Sequence, residues 1–283
     1  MQEGQHRFRS KVFADWYRIH LIIFIGSEGT LGIITKAVIV CPPLPRYQAS
    51  CLLKLSSFEN CLDVWGFIQS NPIRSEVAAF EFWDSESNAL VTLPDSYYNI
   101  LIELHSADPN IKGRLEEVAG ELLKRRIVED DSVLSQDEQQ AQEMMQWRED
   151  IPVKAVSTPG ALVLKYDISL PLKHFYEIVE KSRQILKGQK ATVIGYGHLG
   201  DGNLHLNVIA EKSTADVVKS LMEPWVYEWT AAHCGSISAE HGIGYLKKQY
   251  LKLAKDSQTI DLFRSIKQSF DPHLILNPYK LFD

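Results

Sequence analysis

The chain has 283 residues, a length that suits one large domain or two of ordinary size. With 45% hydrophobic and 23% charged residues it lies within the usual range of soluble globular proteins, and no segment is biased enough to stay disordered. A net charge of −6, with lysine and arginine scattered along the chain, lacks the basic face that phosphate binding requires and argues against a nucleic-acid partner.

Cys41, Cys51, Cys61 and Cys234 have no CxxC spacing and form no disulfide framework, so a reducing compartment is expected. The apolar stretch at residues 19–25 is too short to cross a bilayer, and no transmembrane segment is expected. Arg7, Arg9, Lys11 and Arg18 give the first residues a basic character, but Glu3 and Asp15 break the pattern of an organelle transit peptide.

In chain order, a glycine-punctuated loop from Gly26 to Thr35 leads into a β-branched run, Ala37 to Val40, expected to be a strand. Three prolines among residues 42–45 end it and suggest a lobe boundary, since proline lacks the ladder donor. Strand, helix and strand are then predicted at 48–55, 58–70 and 78–83. A second set follows at 97–104, 111–126 and 132–135, with Lys124, Arg125 and Arg126 as the cations of a helix C-terminus. A third set comprises 161–168, 172–186, 191–196 and 204–209, with helical segments at 214–233 interrupted by Pro224 and a further helical region at 247–270. Repetition of this kind predicts an α+β fold: split βαβ units of ferredoxin-like type, forming antiparallel or mixed sheets with helices on one face.

The most informative segment runs from Gly195 to Asn207. Asp201-Gly202 predicts a two-residue hairpin turn, because a type I′ turn needs positive φ at both central residues. Counting outward puts His198 opposite His205 and Tyr196 opposite Asn207. These four then share one face, while Leu199, Leu204, Leu206 and Val208 occupy the other. Opposed Cβ atoms are about 5 Å apart, so two imidazoles could converge on one ion. The blander alternative is a pair of surface or hydrogen-bonded histidines, weakened here by the four glycines around them.

Glu240, among small and apolar residues, is a candidate third ligand, with a buried salt bridge as the alternative. Two imidazoles and a carboxylate suit zinc, with manganese or cobalt also acceptable. His241 diverges from its neighbour and suits proton transfer, since histidine titrates near neutral pH. Arg148 and Lys165 are either clamps for an acidic substrate or ordinary surface cations.

Together these residues resemble the C-terminal part of the FAD-linked oxidase family. Gly26 to Thr35 is similar to its late flavin-domain loop, His198 to His205 with Asn207 to its metal and substrate hairpin, and Glu240-His241-Gly242 to its third ligand and catalytic histidine. Leu276 to Lys280 is similar to its C-terminal close. The segments 165–171, 227–230 and 236–240 point to its D-2-hydroxyglutarate dehydrogenase branch, with the D-lactate branch as the alternative.

The resemblance implies FAD-dependent oxidation of a D-2-hydroxyacid with zinc or another divalent metal on His198, His205 and Glu240. It further implies His241 as catalytic base, substrate contacts at Arg148, Lys165 and Asn207, and flavin contacts at Gly26, Ser27, Gly29, Thr30 and Asn277. An electron acceptor such as an electron-transfer flavoprotein, a mitochondrial location and a homodimer are compatible with it.

It divides the chain into a flavin-domain remnant at 1–45, a substrate lobe carrying the metal hairpin at 46–235 and a segment returning to the flavin domain at 236–283. Two departures are present. Pro152 stands where the family has a threonine one helical turn after the arginine, and residues 1–21 match nothing in the family. The pyrophosphate-binding part of the flavin domain is not found in this sequence, so weak or no flavin binding and little activity are expected. The competing readings are a non-catalytic metal-binding protein and a metallohydrolase, the latter without a helical HExxH.

Overall fold

The computed structural model describes residues 22–39, 41, 43–93 and 97–281, so the expectations for residues 1–21 lie outside it. Among the described residues seven strands are found: β1 (Tyr47–Leu55), β2 (Val77–Trp83), β3 (Tyr98–Ser106), β4 (Val133–Leu134), β5 (Ala161–Ser169), β6 (Ala191–His198) and β7 (Asn203–Glu211). The helices are α1 (Phe58–Ser70), α2 (Ser85–Asn88), α3 (Ile111–Lys124), α4 (Glu138–Val156), α5 (Glu177–Ile185), α6 (Ala215–Met222), α7 (Trp225–Ala232), α8 (Leu251–Ala254) and α9 (Ser257–Phe270).

The strands form one antiparallel sheet in the order β4-β1-β3-β2-β6-β7-β5. Strands β1 to β4 with α1 and α3 make a complete split βαβ unit. Strands β5 to β7 with α5 and α6 begin a second, and the two meet edge to edge where β2 pairs with β6. In the second unit a single bridge, Ser169 to Ser236, lies where the fourth strand would be. The expected α+β fold of repeated ferredoxin-like units is therefore present.

Alternation along the strands separates two cores. Ile100, Ile102 and Leu53 face a large core shared with α1, α3, α5, α6 and α7, while Leu52, Leu101 and Ile194 face a smaller one completed by Met144, Ile151 and Ala155 of α4. Helix α1 follows directly from sequence. Ser57 caps it by accepting from the Asn60 amide at 3.2 Å, and Phe58, Cys61, Val64 and Ile68 recur at helical spacing into the core.

Helix α4 is less legible and was not among the predicted elements. Most of its surface is polar, and Pro152, which has no amide hydrogen to give the Arg148 carbonyl, lies inside it. Asp137 caps its start, accepting from the Gln140 amide at 2.8 Å.

Two other expectations are corrected. The expected strand is absent over residues 37–39, its last residue Val40 lying outside the described residues, and Ile33 and Val38 are 79% and 96% exposed. A β-branched run becomes a strand only beside a partner ladder, and no described strand flanks it. The region 172–186 opens as a 3₁₀ turn, Leu172–His174, before α5 begins. No helix among the described residues is long and apolar enough to cross a membrane.

Candidate active site

The hairpin register differs from the predicted one by two residues. Tyr196 pairs with His205, Gly197 with Leu204, and His198 with Asn203, leaving Leu199 to Gly202 as a four-residue loop. Two local features favour the longer loop. Leu199 is fully buried with its amide bonded to the Phe80 carbonyl at 3.1 Å, and the Asp201 carboxylate accepts from the Asn203 amide at 3.0 Å. Because the shift is even, every side chain keeps its face. Tyr196, His198, His205 and Asn207 share one side, and the rings of His198 and His205 lie diagonally with centroids 5.4 Å apart. Gly197 permits the closeness of the two strands: a Cβ there would lie 2.2 Å from the Asn203 carbonyl oxygen.

Glu81 on β2 stands directly opposite His198, and its Oε1 lies 2.7 Å from His198 Nδ1. That bond raises the His198 pKa and fixes the ring so that Nε2 faces the cleft, 3.4 Å from Glu240 Oε1. His205 is more enclosed. Burial, aided by the positive Arg148 and His198, pushes its pKa down to about 4, which leaves a neutral imidazole with a lone pair at neutral pH.

Glu240 and His241 reach the cleft on a strap that follows the Ser236 bridge. Its anchor is Asp167 on β5, paired with His205 and 1% exposed. Asp167 Oδ2 accepts from the amides of Ala239, Glu240 and His241 at 3.1, 2.8 and 2.8 Å. Burial opposes ionisation of this carboxyl. The amides of His241 and Glu240 and the neighbouring histidines outweigh it and hold the pKa below the usual range. Its Oδ1 has no hydrogen-bond partner and lies 3.8 Å from His205 Nδ1.

Asp167, His205, Glu240 and His241 each offer a ligand atom within 4.8 Å of the others, and the rings of His205 and His241 stack at 6.0 Å. These four include the expected His205 and Glu240, add Asp167 and His241, and leave out His198, whose Nε2 borders the same cleft 3.4 Å from Glu240 Oε1; imidazoles, a reachable glutamate and an orphaned buried oxygen fit a borderline divalent cation. The expectation of a buried Glu240 is corrected. Its side chain is 48% exposed, because the strap lies over the sheet rather than within the core.

Arg148 from α4 is 7% exposed, with Nε 2.9 Å from Glu81 Oε2 and its guanidinium 4.9 Å above the Tyr196 ring. Asn207 donates to the Tyr196 hydroxyl at 3.0 Å and pairs across the sheet with the exposed Lys165. Arg148, Lys165, Asn207, His198, His205, Glu240 and His241 thus line one cleft of about 330 Å³, with Pro152 at its wall.

The glycine loop lies elsewhere. Gly26, Ser27 and Thr30 line a separate, mainly apolar cavity of about 390 Å³ with Ile22 and Ile25. Asn277 donates to the Glu28 carbonyl and sits against Gly29. Glu28 in turn accepts from the Ile243 and Gly244 amides at 2.6 and 2.7 Å, which ties this loop to the strap. Open space at the Cβ position of Gly26 leaves the backbone approachable by a flat ring, the kind of contact a flavin makes.

Glu81 and Asp167 were missed from sequence. The available signal was a carboxylate inside an otherwise strand-like run, Ala-Phe-Glu-Phe-Trp in one case and Lys-Tyr-Asp-Ile in the other.

This arrangement of duplicated split βαβ units around a histidine and carboxylate cleft coincides with a family match. Residues 44–281 match the FAD linked oxidases, C-terminal domain, and the chain belongs to that family.

It is 40% identical to D-2-hydroxyglutarate dehydrogenase of Bos taurus, over 92% of this chain and 48% of that protein. It is 39% identical to the Arabidopsis thaliana protein of the same name, over 92% and 47%. The D-2-hydroxyglutarate–pyruvate transhydrogenase of Saccharomyces cerevisiae is 32% identical, over 91% and 55%. The chain therefore spans about half the length of the curated relatives it matches. Among solved structures, alkyldihydroxyacetonephosphate synthase shares the fold with a TM-score of 0.62 at 15% identity, covering 91% of this chain and 48% of that one.

Proposed function

We propose that this chain is the substrate and metal lobe of an FAD-dependent D-2-hydroxyacid dehydrogenase, and that its substrate is D-2-hydroxyglutarate, oxidised to 2-oxoglutarate. The observation that carries this reading is the convergence of His198, His205, Glu240 and His241 with Arg148, Lys165 and Asn207 in one cleft.

His198, His205 and Glu240 would hold zinc, or manganese or cobalt in its place, and the cation would supply the Lewis acidity that makes a 2-hydroxyl group more acidic. FAD, with Gly26, Ser27, Gly29, Thr30 and Asn277 among its contacts, would supply the acceptor for the C2 hydride. The remaining work falls to this chain's own side chains. His241, stacked near His205, accepts the hydroxyl proton on an imidazole nitrogen. Asp167 holds the His241 backbone in place through its amide. Arg148 and Lys165 bind carboxylates, and Asn207, held by Tyr196, orients the substrate. Two cations suit a substrate with two carboxylates, whereas a lactate-type substrate would leave one of them unmatched.

In this reading residues 46–235 are the substrate lobe, and 1–45 and 236–283 belong with the flavin-binding part. The relatives' names include the word mitochondrial, which supports the same location here. An electron-transfer flavoprotein is the proposed electron acceptor. Metal analysis tests the reading: His198→Ala should lower bound zinc by one equivalent, and unchanged zinc content would remove the hairpin from the account.

A further inference from the structure

We propose that the chain carries a second divalent cation site, for zinc or a similar transition ion, formed by His174, Glu177 and His233 on the helix-covered side of the sheet. His174 ends the 3₁₀ turn before α5, Glu177 opens α5, and His233 caps the C-terminus of α7. Each offers a ligand atom within 4.8 Å of the others, and the two imidazole centroids are 4.6 Å apart. The adjoining Phe175, Tyr176, Val226 and Tyr227 all belong to the larger core, whereas the catalytic cleft lies on the α4 side.

The protonation pattern is set by the neighbours. His233 Nδ1 lies 2.7 Å from the Trp229 carbonyl, which can only accept, so Nδ1 carries the proton and Nε2 has a free lone pair. His174 Nδ1 lies 2.9 Å from Glu177 Oε2, and the same logic leaves its Nε2 available. That hydrogen bond also holds the Glu177 carboxyl below the usual carboxylate range.

Orientation is restricted as well. The Trp229 ring stacks on His233 with centroids 3.8 Å apart and planes 19° from parallel, and it meets His174 edge-on at 6.1 Å. All three candidate ligands are half-buried, so a cation would replace little hydration. Lys181 competes for the carboxylate, with Nζ 3.4 Å from Glu177 Oε1, but its side chain is 40% exposed and free to turn outward. A tetrahedral ion about 2.1 Å from each donor needs donors roughly 3.4 Å apart, so donors that lie within 4.8 Å of one another close by at most about 1.4 Å. Side-chain rotation covers that distance.

The position gives the site a role. His233 lies three residues before Ser236, whose bridge to Ser169 begins the strap that carries Glu240 and His241. An ion joining α7 to the start of α5 would fix the strap's point of departure.

Equilibrium dialysis of the full chain with cobalt, read together with tryptophan fluorescence, tests this. The wild type should bind two equivalents, and Glu177→Gln and His233→Gln should each bind one. Trp229→Phe should keep both equivalents but lose most of the cobalt-induced quenching, since the indole stacked on the ligand His233 is gone. Circular dichroism checks folding, and Glu177→Gln, a near-isosteric change at the first residue of α5, decides the matter should His233→Gln unfold. Two equivalents retained in Glu177→Gln, or undiminished quenching in Trp229→Phe, would overturn the second site. A single wild-type equivalent lost only with His198→Ala would overturn it too, leaving the cleft reading intact. A single equivalent lost only with Glu177→Gln would support it while removing the metal from the cleft.

Discussion

His198 and His205 stand on strands that are paired on both sides, β6 between β2 and β7 and β7 between β6 and β5, whereas Glu240 and His241 hang from one carboxylate. The hairpin spreads its load over many ladder bonds, while the strap rests on two carboxylates, Asp167 under residues 239–241 and Glu28 under Ile243 and Gly244. Ladder positions should therefore yield only to steric conflict, while residues 239–241 should yield to the loss of a single charge.

The largest effect is expected from Gly197→Ala. The new methyl group would meet the Asn203 carbonyl at 2.2 Å, backbone against backbone, and the hairpin must open to admit it. A cost of about 3 kcal/mol is expected, seen as a lower unfolding midpoint in calorimetry. Wild-type stability in this variant would mean that the hairpin is looser than its pairing implies.

Asp167→Asn comes next. It weakens the acceptor for three amides by about 2 kcal/mol, so hydrogen exchange at residues 239–241 should accelerate while the sheet stays protected. Equal protection in both regions would erase the contrast between hairpin and strap.

Glu81→Gln should act more gently on the same cleft. It removes the charge that orients His198, and zinc affinity should fall by about tenfold to a hundredfold in calorimetric titration. The His198 pKa, raised by that bond, should fall in an NMR titration.

The smallest effect concerns the C-terminal clasp. Lys267 donates to the carbonyls of Thr30 and Leu276 at 2.7 Å each and pairs with Asp271, which also accepts from the Ile275 and Leu276 amides at 3.1 and 2.7 Å. Burial opposes charge on Asp271, but Lys267 and these amides win and hold its pKa below the ordinary value. A depressed carboxyl pKa contributes stability above the unfolded value, near 3.9, and that contribution is lost as pH falls through the folded value. The protection factor of the Leu276 amide, corrected for intrinsic exchange, should therefore fall as pH drops from about 4 through the lowered folded value, and Asp271→Asn should remove that fall.

Much of this arrangement is legible in the sequence because strand periodicity preserves faces. The hairpin register was off by two, yet Tyr196, His198, His205 and Asn207 still fall together, since only an odd slip exchanges the faces. The turn length was misread because Asp201-Gly202 signals a tight turn locally, while burial of Leu199 decides for the longer loop globally. Helix α4 escaped because a mostly polar surface and an internal proline hide its few buried residues. Glu81 and Asp167 escaped because their roles depend on partners more than seventy residues away, His198 and the strap amides. The β-branched run from Ala37 to Val40 reads as a strand because composition favours one, but a ladder needs a neighbour, and no described strand flanks residues 37–39.

The central claim is that His198, His205 and Glu240 gather a cation on which an acidic substrate is bound. Calorimetric titration of 2-oxoglutarate into the zinc-loaded chain, the metal-free chain and His205→Ala tests it most directly. The account predicts binding by the zinc-loaded wild type alone, and equal binding by all three would contradict it.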